Sequence, residues 1–106
     1  MIDLYNYLEL GTEPLKILFF GSLYYHPNIE AIHWFVENVC PLLLQKIDFS
    51  FLIAGSRPDS TIVDLCKRFD FIRLFANPAK MTTLISSSDL TVAPMQSGSG
   101  QQFKVL

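Results

Sequence analysis

The 106-residue sequence holds few charges, few cysteines, no basic run and no long apolar run, and each shortage excludes a class of protein. Only 17% of the residues are charged, the net charge is −2 and no five Lys or Arg stand together, so the basic footprint of a nucleic-acid binder is missing. The apolar stretches stop well short of the roughly 20 residues needed to cross a bilayer. The opening MIDLYNYLEL carries acids where a secretion signal needs a basic n-region. The two cysteines, Cys40 and Cys66, fall on expected helices with no C-x-x-C, which reads as free thiols in a reducing compartment. His26 and His33 have no companions at metal-ligand spacing, so no metal site is expected. Neither G-x-G-x-x-G nor G-x-x-x-x-G-K-[ST] occurs, which removes the standard dinucleotide fingerprint and the P-loop.

Hydrophobic residues are plentiful: 50% of the chain, with 13% aromatic. This is enough to bury a single domain's core. Residues 1–14, punctuated by Gly11 and Pro14, read as a linker; residues 15–106 read as the domain. KILFF (16–20) is a short apolar run ending at Gly21, as a strand buried on both faces would be. After the loop GSLYYHPN, Asn28 is the expected cap of a helix carrying Ile32, Phe35, Val36, Val39 and Leu43. Pro41 predicts a break near Val39–Cys40 and a second helical piece reaching Ile47. FSFLIA (49–54) is a second strand, and SRPDS a loop with Asp59 or Ser60 capping a helix through Ile62, Leu65, Cys66 and Phe69.

Residues 71–75 predict a third strand, and Asn77-Pro78 a cap and first turn for a helix with Met81, Leu84 and Ile85. Residues 90–93 predict a fourth strand, stopped by Pro94, and a small-residue loop to Gly100 leads into an expected helix start. The alternation β-α-β-α-β-α-β implies a parallel sheet with helices on both faces. Ligands of such sheets sit beyond the carboxyl ends of the strands. There the loops 21–28, 55–60, 76–78 and 94–100 would gather, with Arg57 and Lys104 as cations for a diphosphate and His26 facing the same edge. A glycine loop at a helix N-terminus suits a phosphate. Asp89 stands at the start of its strand, the wrong end for a receiver-domain acid, and no Ser-His-acid triad assembles from Ser22, Ser97 or Ser99. Trp34 and Phe35 read as core or interface.

Three blocks resemble one family in order and spacing. ILFFGSLYYHPNIEAIHWFVENVCPLL places Gly21, Tyr25, Pro27, Asn28, Trp34, Phe35 and Pro41 as they stand in the donor-binding domain of group 1 glycosyltransferases. FLIAGSRPDSTIVDL is similar to that domain's second strand with its Gly and Pro, and SDLTVAPMQSGSGQQFKVL to its Ala-Pro strand, glycine loop and Lys-x-Leu helix.

The resemblance implies an α/β, Rossmann-like three-layer fold with a parallel sheet of about four strands, incomplete relative to the family. It also implies a parent enzyme of two such domains (the GT-B architecture) that transfers a sugar, hexosyltransferase-like, from a nucleotide-diphosphate sugar to an acceptor. Cell-surface polysaccharide synthesis at the inner face of the membrane, in the cytoplasm, is the setting it implies. Carried over, Gly98, Ser99, Gly100, Lys104, Gly21 and Ser22 would hold the donor diphosphate, with Phe75, Ala76 and Asn77 near the nucleobase; the loop reading adds Arg57 and His26 as further donor contacts. No cofactor beyond the donor substrate is expected. The family's helix continues with a ribose-binding glutamate immediately after the position of Leu106. That residue, the closing strands and the acceptor-binding N-terminal domain are expected outside these 106 residues, so the chain alone should be inactive. The competing reading is a non-catalytic α/β module that self-associates through an exposed sheet edge or helix faces. A flavodoxin-like small-molecule binder is a third.

Overall fold

The structure, a computed structural model, describes residues 14–97 and 100–105, with side chains through residue 92. Most of the proposed linker, together with Gly98, Ser99 and Leu106, lies outside the described residues. The element order is β1 (Leu15–Phe20), α1 (His26–Asn38), α2 (Cys40–Leu44), β2 (Phe49–Gly55), α3 (Ser60–Arg68), β3 (Ile72–Ala76), α4 (Met81–Ser87), β4 (Leu90–Ser97) and β5 (Gly100–Val105). The sheet order is β3-β2-β1-β4-β5. β1 to β4 are mutually parallel and β5 returns antiparallel to β4, giving the expected Rossmann-like α/β arrangement with one added strand.

The period-two alternation of the central strands sorts the core into two faces. Leu15, Ile17 and Phe19 of β1 and Phe49, Phe51 and Ile53 of β2 cluster with Ile32, Phe35 and Val36 of α1, Cys40 of α2 and Ile62 and Leu65 of α3. Leu18, Leu52 and Ala54 point the other way and cluster with Phe75, Met81 and Leu84, so among the described residues α4 is the helix that covers that face. At their centres β1 and β2 are therefore buried on both faces, with Lys16 and Phe20 exposed at the ends of β1, which is why these strands read as short apolar runs. Burial of a residue such as Leu18, which is 0% exposed, stabilises by roughly 1.5–3 kcal/mol. Burial also raises the Cys40 thiol to about 12, so Cys40 behaves as a small hydrophobe, and both cysteines are free.

Several boundaries differ from expectation for identifiable reasons. α1 starts at His26 rather than after Asn28: Tyr25 is the N-cap, Pro27 occupies the first turn, and the Tyr25 carbonyl accepts from the N–H groups of Asn28 and Ile29. The Asn28 side chain instead closes the loop before it, donating to the Ser22 carbonyl at 3.0 Å. The break at Pro41 is present, a single residue, Val39, separating α1 from α2, but α2 ends at Leu44 rather than Ile47. Asn77-Pro78 opens no helix. Asn77 adopts φ 50°, a left-handed conformation that ends a strand in a turn, and α4 begins at Met81 after Lys80.

Two corrections concern the end of the chain. Pro94 does not stop β4, which runs on to Ser97. β1 pairs β4 only through Leu90–Val92, so Pro94 lies where the missing N–H costs no ladder bond on the β1 side. Gly100 opens a strand, not a helix: Phe103 and Val105 alternate with Gln102 and Lys104, a two-residue period, and Val92–Ser97 provides a ready edge to pair with.

Asp59 is the cap of α3, one of the two residues the sequence offered. Its Oδ2 accepts from the Thr61 backbone N–H at 2.9 Å and from the Thr61 hydroxyl, which in turn lies 3.1 Å from His33 Nε2. The Thr61 hydroxyl first, then its N–H, hold the Asp59 carboxyl below the usual aspartate range. A depressed folded-state value means that this contribution to stability is complete above the ordinary aspartate range and is lost as pH falls through the folded-state value. Asp59→Asn keeps a capping oxygen but does not titrate. The stability difference between the two proteins, followed by denaturant titration from about pH 6 down to about pH 2, is therefore expected to change only at the acidic end. A constant difference across the series would show that the carboxylate charge contributes nothing.

Candidate functional site: the carboxyl edge of the sheet

β1 has β2 on one side and β4 on the other. α1, which leads from β1 towards β2, packs on one face, whereas α4, which leads into β4, packs on the opposite face. The chain direction across the sheet therefore reverses between β1 and β4, which is where open α/β sheets carry their ligand crevice, beyond the carboxyl ends. A cleft of about 310 Å³ lies at this edge, lined by Gly21, Gly55, Ser56, Asn77 and Pro78, with Phe20 and Met81 as its apolar wall. A smaller cavity of about 220 Å³, lined by Pro14, Lys16, Ser50, Leu52 and Arg73, sits towards the amino ends of the strands. Asp89 is also at that end: it precedes β4 and accepts from the Lys16 N–H at 2.8 Å.

Backbone hydrogen bonds tie the loops of the carboxyl edge together. The Gly21 N–H donates to the Ala54 carbonyl at 3.1 Å, Leu23 to Ser56 at 3.0 Å, Asp59 to Leu23 at 3.0 Å and Asn77 to Gly55 at 2.7 Å. Gly55 is required by packing: a Cβ built there would stand 1.7 Å from the Gly21 carbonyl oxygen. The loop after β1 thus lies directly on the end of β2.

Of the residues expected at this site, Gly21, Ser22, Arg57 and Asn77 are brought together. Arg57 follows β2 in a left-handed conformation, φ 48°, and its N–H donates to Asn77 Oδ1 at 3.2 Å. Its guanidinium carbon stands 3.8 Å from the centroid of the Tyr24 ring. Hydrogen bonding to Ser22, then to Arg57, together with the Arg57 charge, holds the Tyr24 phenol below its ordinary range. Phe75 is half-buried against the second face, and Ala76 pairs with Gly55 at the end of the sheet. His26 is at the first turn of α1, with Nε2 2.7 Å from Glu30 Oε1 and its side chain 79% exposed, so here it makes a pair along the helix surface.

Gly98 and Ser99 lie outside the described residues. Gly100 stands opposite Ser97, at the end of β5 nearest the carboxyl edge, and Lys104 opposite Ala93. With β5 in place of a helix, the dipole expected to act on a diphosphate at this loop is absent among the described residues.

Sequence reasoning missed Tyr24 and Ser56. Tyr24 carried no signal beyond its neighbours, and Ser56 only its place after a strand-ending Gly. The left-handed Asn77 had one, since Asn tolerates positive φ, but Arg57 had none. The Trp34-Phe35 pair divides: Phe35 is buried and Trp34 is 40% exposed.

Among the described residues no group of three His, Cys, Asp or Glu could hold a metal ion, and no helix is long and apolar enough to cross a membrane. No curated protein and no solved structure matches the chain. Comparison with protein families matches residues 14–106, nearly the whole sequence, to the family described as Glycosyl transferases group 1. With its Rossmann-like sheet and its cleft at the carboxyl edge, the chain belongs to the group 1 glycosyltransferases.

Proposed function

We propose that this chain binds the nucleotide-diphosphate sugar from which a hexosyl group is transferred to an acceptor, with the cleft at the carboxyl edge as the donor site. The observation that carries the reading is the convergence of the loops that end β1, β2 and β3, with Gly21, Gly55, Ser56 and Asn77, on a cleft of about 310 Å³ at the carboxyl edge, with Arg57 bonded through its N–H to Asn77 beside it. Arg57 supplies a cation at the mouth. Gly98, Ser99, Gly100 and Lys104 would hold the diphosphate together with Gly21 and Ser22, with Phe75–Asn77 beside the base. Catalysis would then be stabilisation of the departing diphosphate by fixed N–H groups and cations. Residues 15–106 would serve as the donor half of a two-domain, GT-B enzyme of cell-surface polysaccharide synthesis on the cytoplasmic side of the membrane. An acceptor-binding domain would complete it, no metal or other cofactor would be needed, and the donor half alone would be inactive.

Isothermal titration of the chain with UDP, GDP and ADP tests the reading: one of them is expected to bind, and FMN is not. In the enzyme that carries the acceptor-binding domain, Lys104→Ala and Gly98→Val are each expected to lower transfer rate and donor affinity about tenfold, the scale of one charge-assisted contact. Unchanged rate and affinity in both would remove Gly98 and Lys104 from the site.

The interaction-module reading has one observation in its favour. β3 is an edge strand, and Leu42 and Leu44 on α2 are 62% and 48% exposed. Light scattering at rising concentration separates the two: assembly without nucleotide binding would favour the module.

A further inference from the structure

Arg57 is a non-glycine residue held at φ 48°, and the residue that bonds its backbone N–H, Asn77, is itself at φ 50°. Positive φ disfavours an arginine by roughly 1–2 kcal/mol, so the conformation persists only where its surroundings over-determine it. Two neighbouring loops do so here. Asn77, after β3, offers Oδ1 to the Arg57 N–H at 3.2 Å and is itself pinned by its own N–H to the Gly55 carbonyl at 2.7 Å. Tyr24, after β1, lays its ring 3.8 Å from the guanidinium carbon and hydrogen-bonds Ser22. A guanidinium stacked on a ring retains in-plane N–H donors, the fork that matches two phosphate oxygens. An unrestrained loop arginine would first have to give up its rotamer freedom to present that fork.

We propose that Tyr24 and Asn77 are positioning residues that hold Arg57 ready for a phosphate of the donor at the mouth of the cleft. The assignment rests on the donor-site reading above and adds a second role for Asn77, and a first one for Tyr24, that is exerted through Arg57. It gives the unusual backbone a purpose: the chain turns after β2 with the exposed Arg57 side chain over Tyr24. It also divides the labour among the loops, β2 supplying the charge and its two neighbours supplying the aim.

The test is titration of the full chain with UDP, GDP and ADP, with the corresponding nucleosides measured as competitors. Arg57→Ala is expected to weaken the diphosphate that binds by about tenfold. Tyr24→Ala, which removes the ring, and Asn77→Gly, which keeps the backbone freedom and deletes Oδ1, are each expected to weaken it about three- to tenfold. Tyr24→Phe keeps the stacking face but loses the hydroxyl beside Ser22 and Arg57, and its affinity is expected to fall between those of the parent and Tyr24→Ala. Added to Arg57→Ala, neither Tyr24→Ala nor Asn77→Gly should cause further loss of the diphosphate's advantage over its nucleoside, and Tyr24→Ala should leave competition by the uncharged nucleoside unchanged. Circular dichroism of each variant should superimpose on the parent.

Wild-type affinity in both Tyr24→Ala and Asn77→Gly alongside a weakened Arg57→Ala would overturn the positioning role. So would losses of the diphosphate's advantage that add fully to that of Arg57→Ala, or an equal loss for the nucleoside in Tyr24→Ala, which would mean direct contact with the base. An Arg57→Ala protein that binds as the parent does would instead remove Arg57 from the donor site. Failure of all three diphosphates to bind the unsubstituted chain would overturn the proposed function itself.

Discussion

Gly55→Ala is expected to destabilise the domain by about 3 kcal/mol or more and to lower the melting temperature by over 12 °C or so. The added methyl would stand 1.7 Å from the Gly21 carbonyl oxygen and 2.9 Å from both the Gly21 carbonyl carbon and Leu23 Cγ. Two of these are backbone atoms of the loop after β1, and that loop cannot retreat cheaply. Gly21 donates to Ala54, Leu23 donates to Ser56 and receives from Asp59, and Leu23 is 0% exposed. Relief of the clash would break these bonds or lift Leu23 out of the core. Because the same loop floors the cleft, nucleotide binding is expected to fall with stability. A melting temperature within two or three degrees of the parent would show that the β1 loop swings aside freely, and the floor of the proposed site would then be less rigid than its hydrogen bonds imply. Thermal unfolding by circular dichroism reads this directly.

Phe51→Ala is expected to cost about 3–5 kcal/mol, most of the stability of a domain of this size. Phe51 is 0% exposed at the middle of β2, with β1 on one side and β3 on the other, and its ring centroid lies 4.8 Å from that of Phe35 on α1. Truncation leaves a cavity bounded by two paired strands and a helix, none of which can collapse inward without giving up its own contacts. Phe51→Leu refills much of that volume and should recover most of the loss. Urea unfolding measures both: the midpoint for Phe51→Ala should drop sharply with little change in slope. Comparable midpoints for the Ala and Leu variants would mean that the helix-facing core tolerates a void and that the ring pair contributes little.

Much of the fold could be read from residue patterns because the central strands are buried on both faces. The KILFF and FSFLIA runs have no other economical explanation in a chain this short, and Gly21 and Gly55 end them where the backbone must turn or pack closely. The Pro41 break and the Asp59 cap were legible for the same local reason: a ring that cannot donate, and a carboxylate two residues before an N–H that needs an acceptor. Local signals misled wherever a distant partner decided the outcome. Asn28 is as good a cap by composition as Asp59, yet its amide serves the Ser22 carbonyl. Pro94 ends a strand only if both neighbours need its N–H, and β1 pairs no further than Val92. The residues after Gly100 carry alternating apolar positions, and an open β4 edge turned them into a strand.

The site divides along the same line. That ligands gather beyond the strand ends, and that Gly21, Ser22, Arg57 and Asn77 stand there, follows from the order of elements alone, since every β-to-α loop of a parallel sheet emerges at one edge. The family was legible as a resemblance carried by three blocks of residues in order, and the match over residues 14–106 agrees with it. Which loops touch was decided by the tertiary structure. Arg57 over Tyr24, its N–H on Asn77 and the loop after β1 on Gly55 are contacts between segments about 20 residues or more apart. No local preference encodes such contacts; they exist because a twisted parallel sheet brings the ends of β1, β2 and β3 side by side.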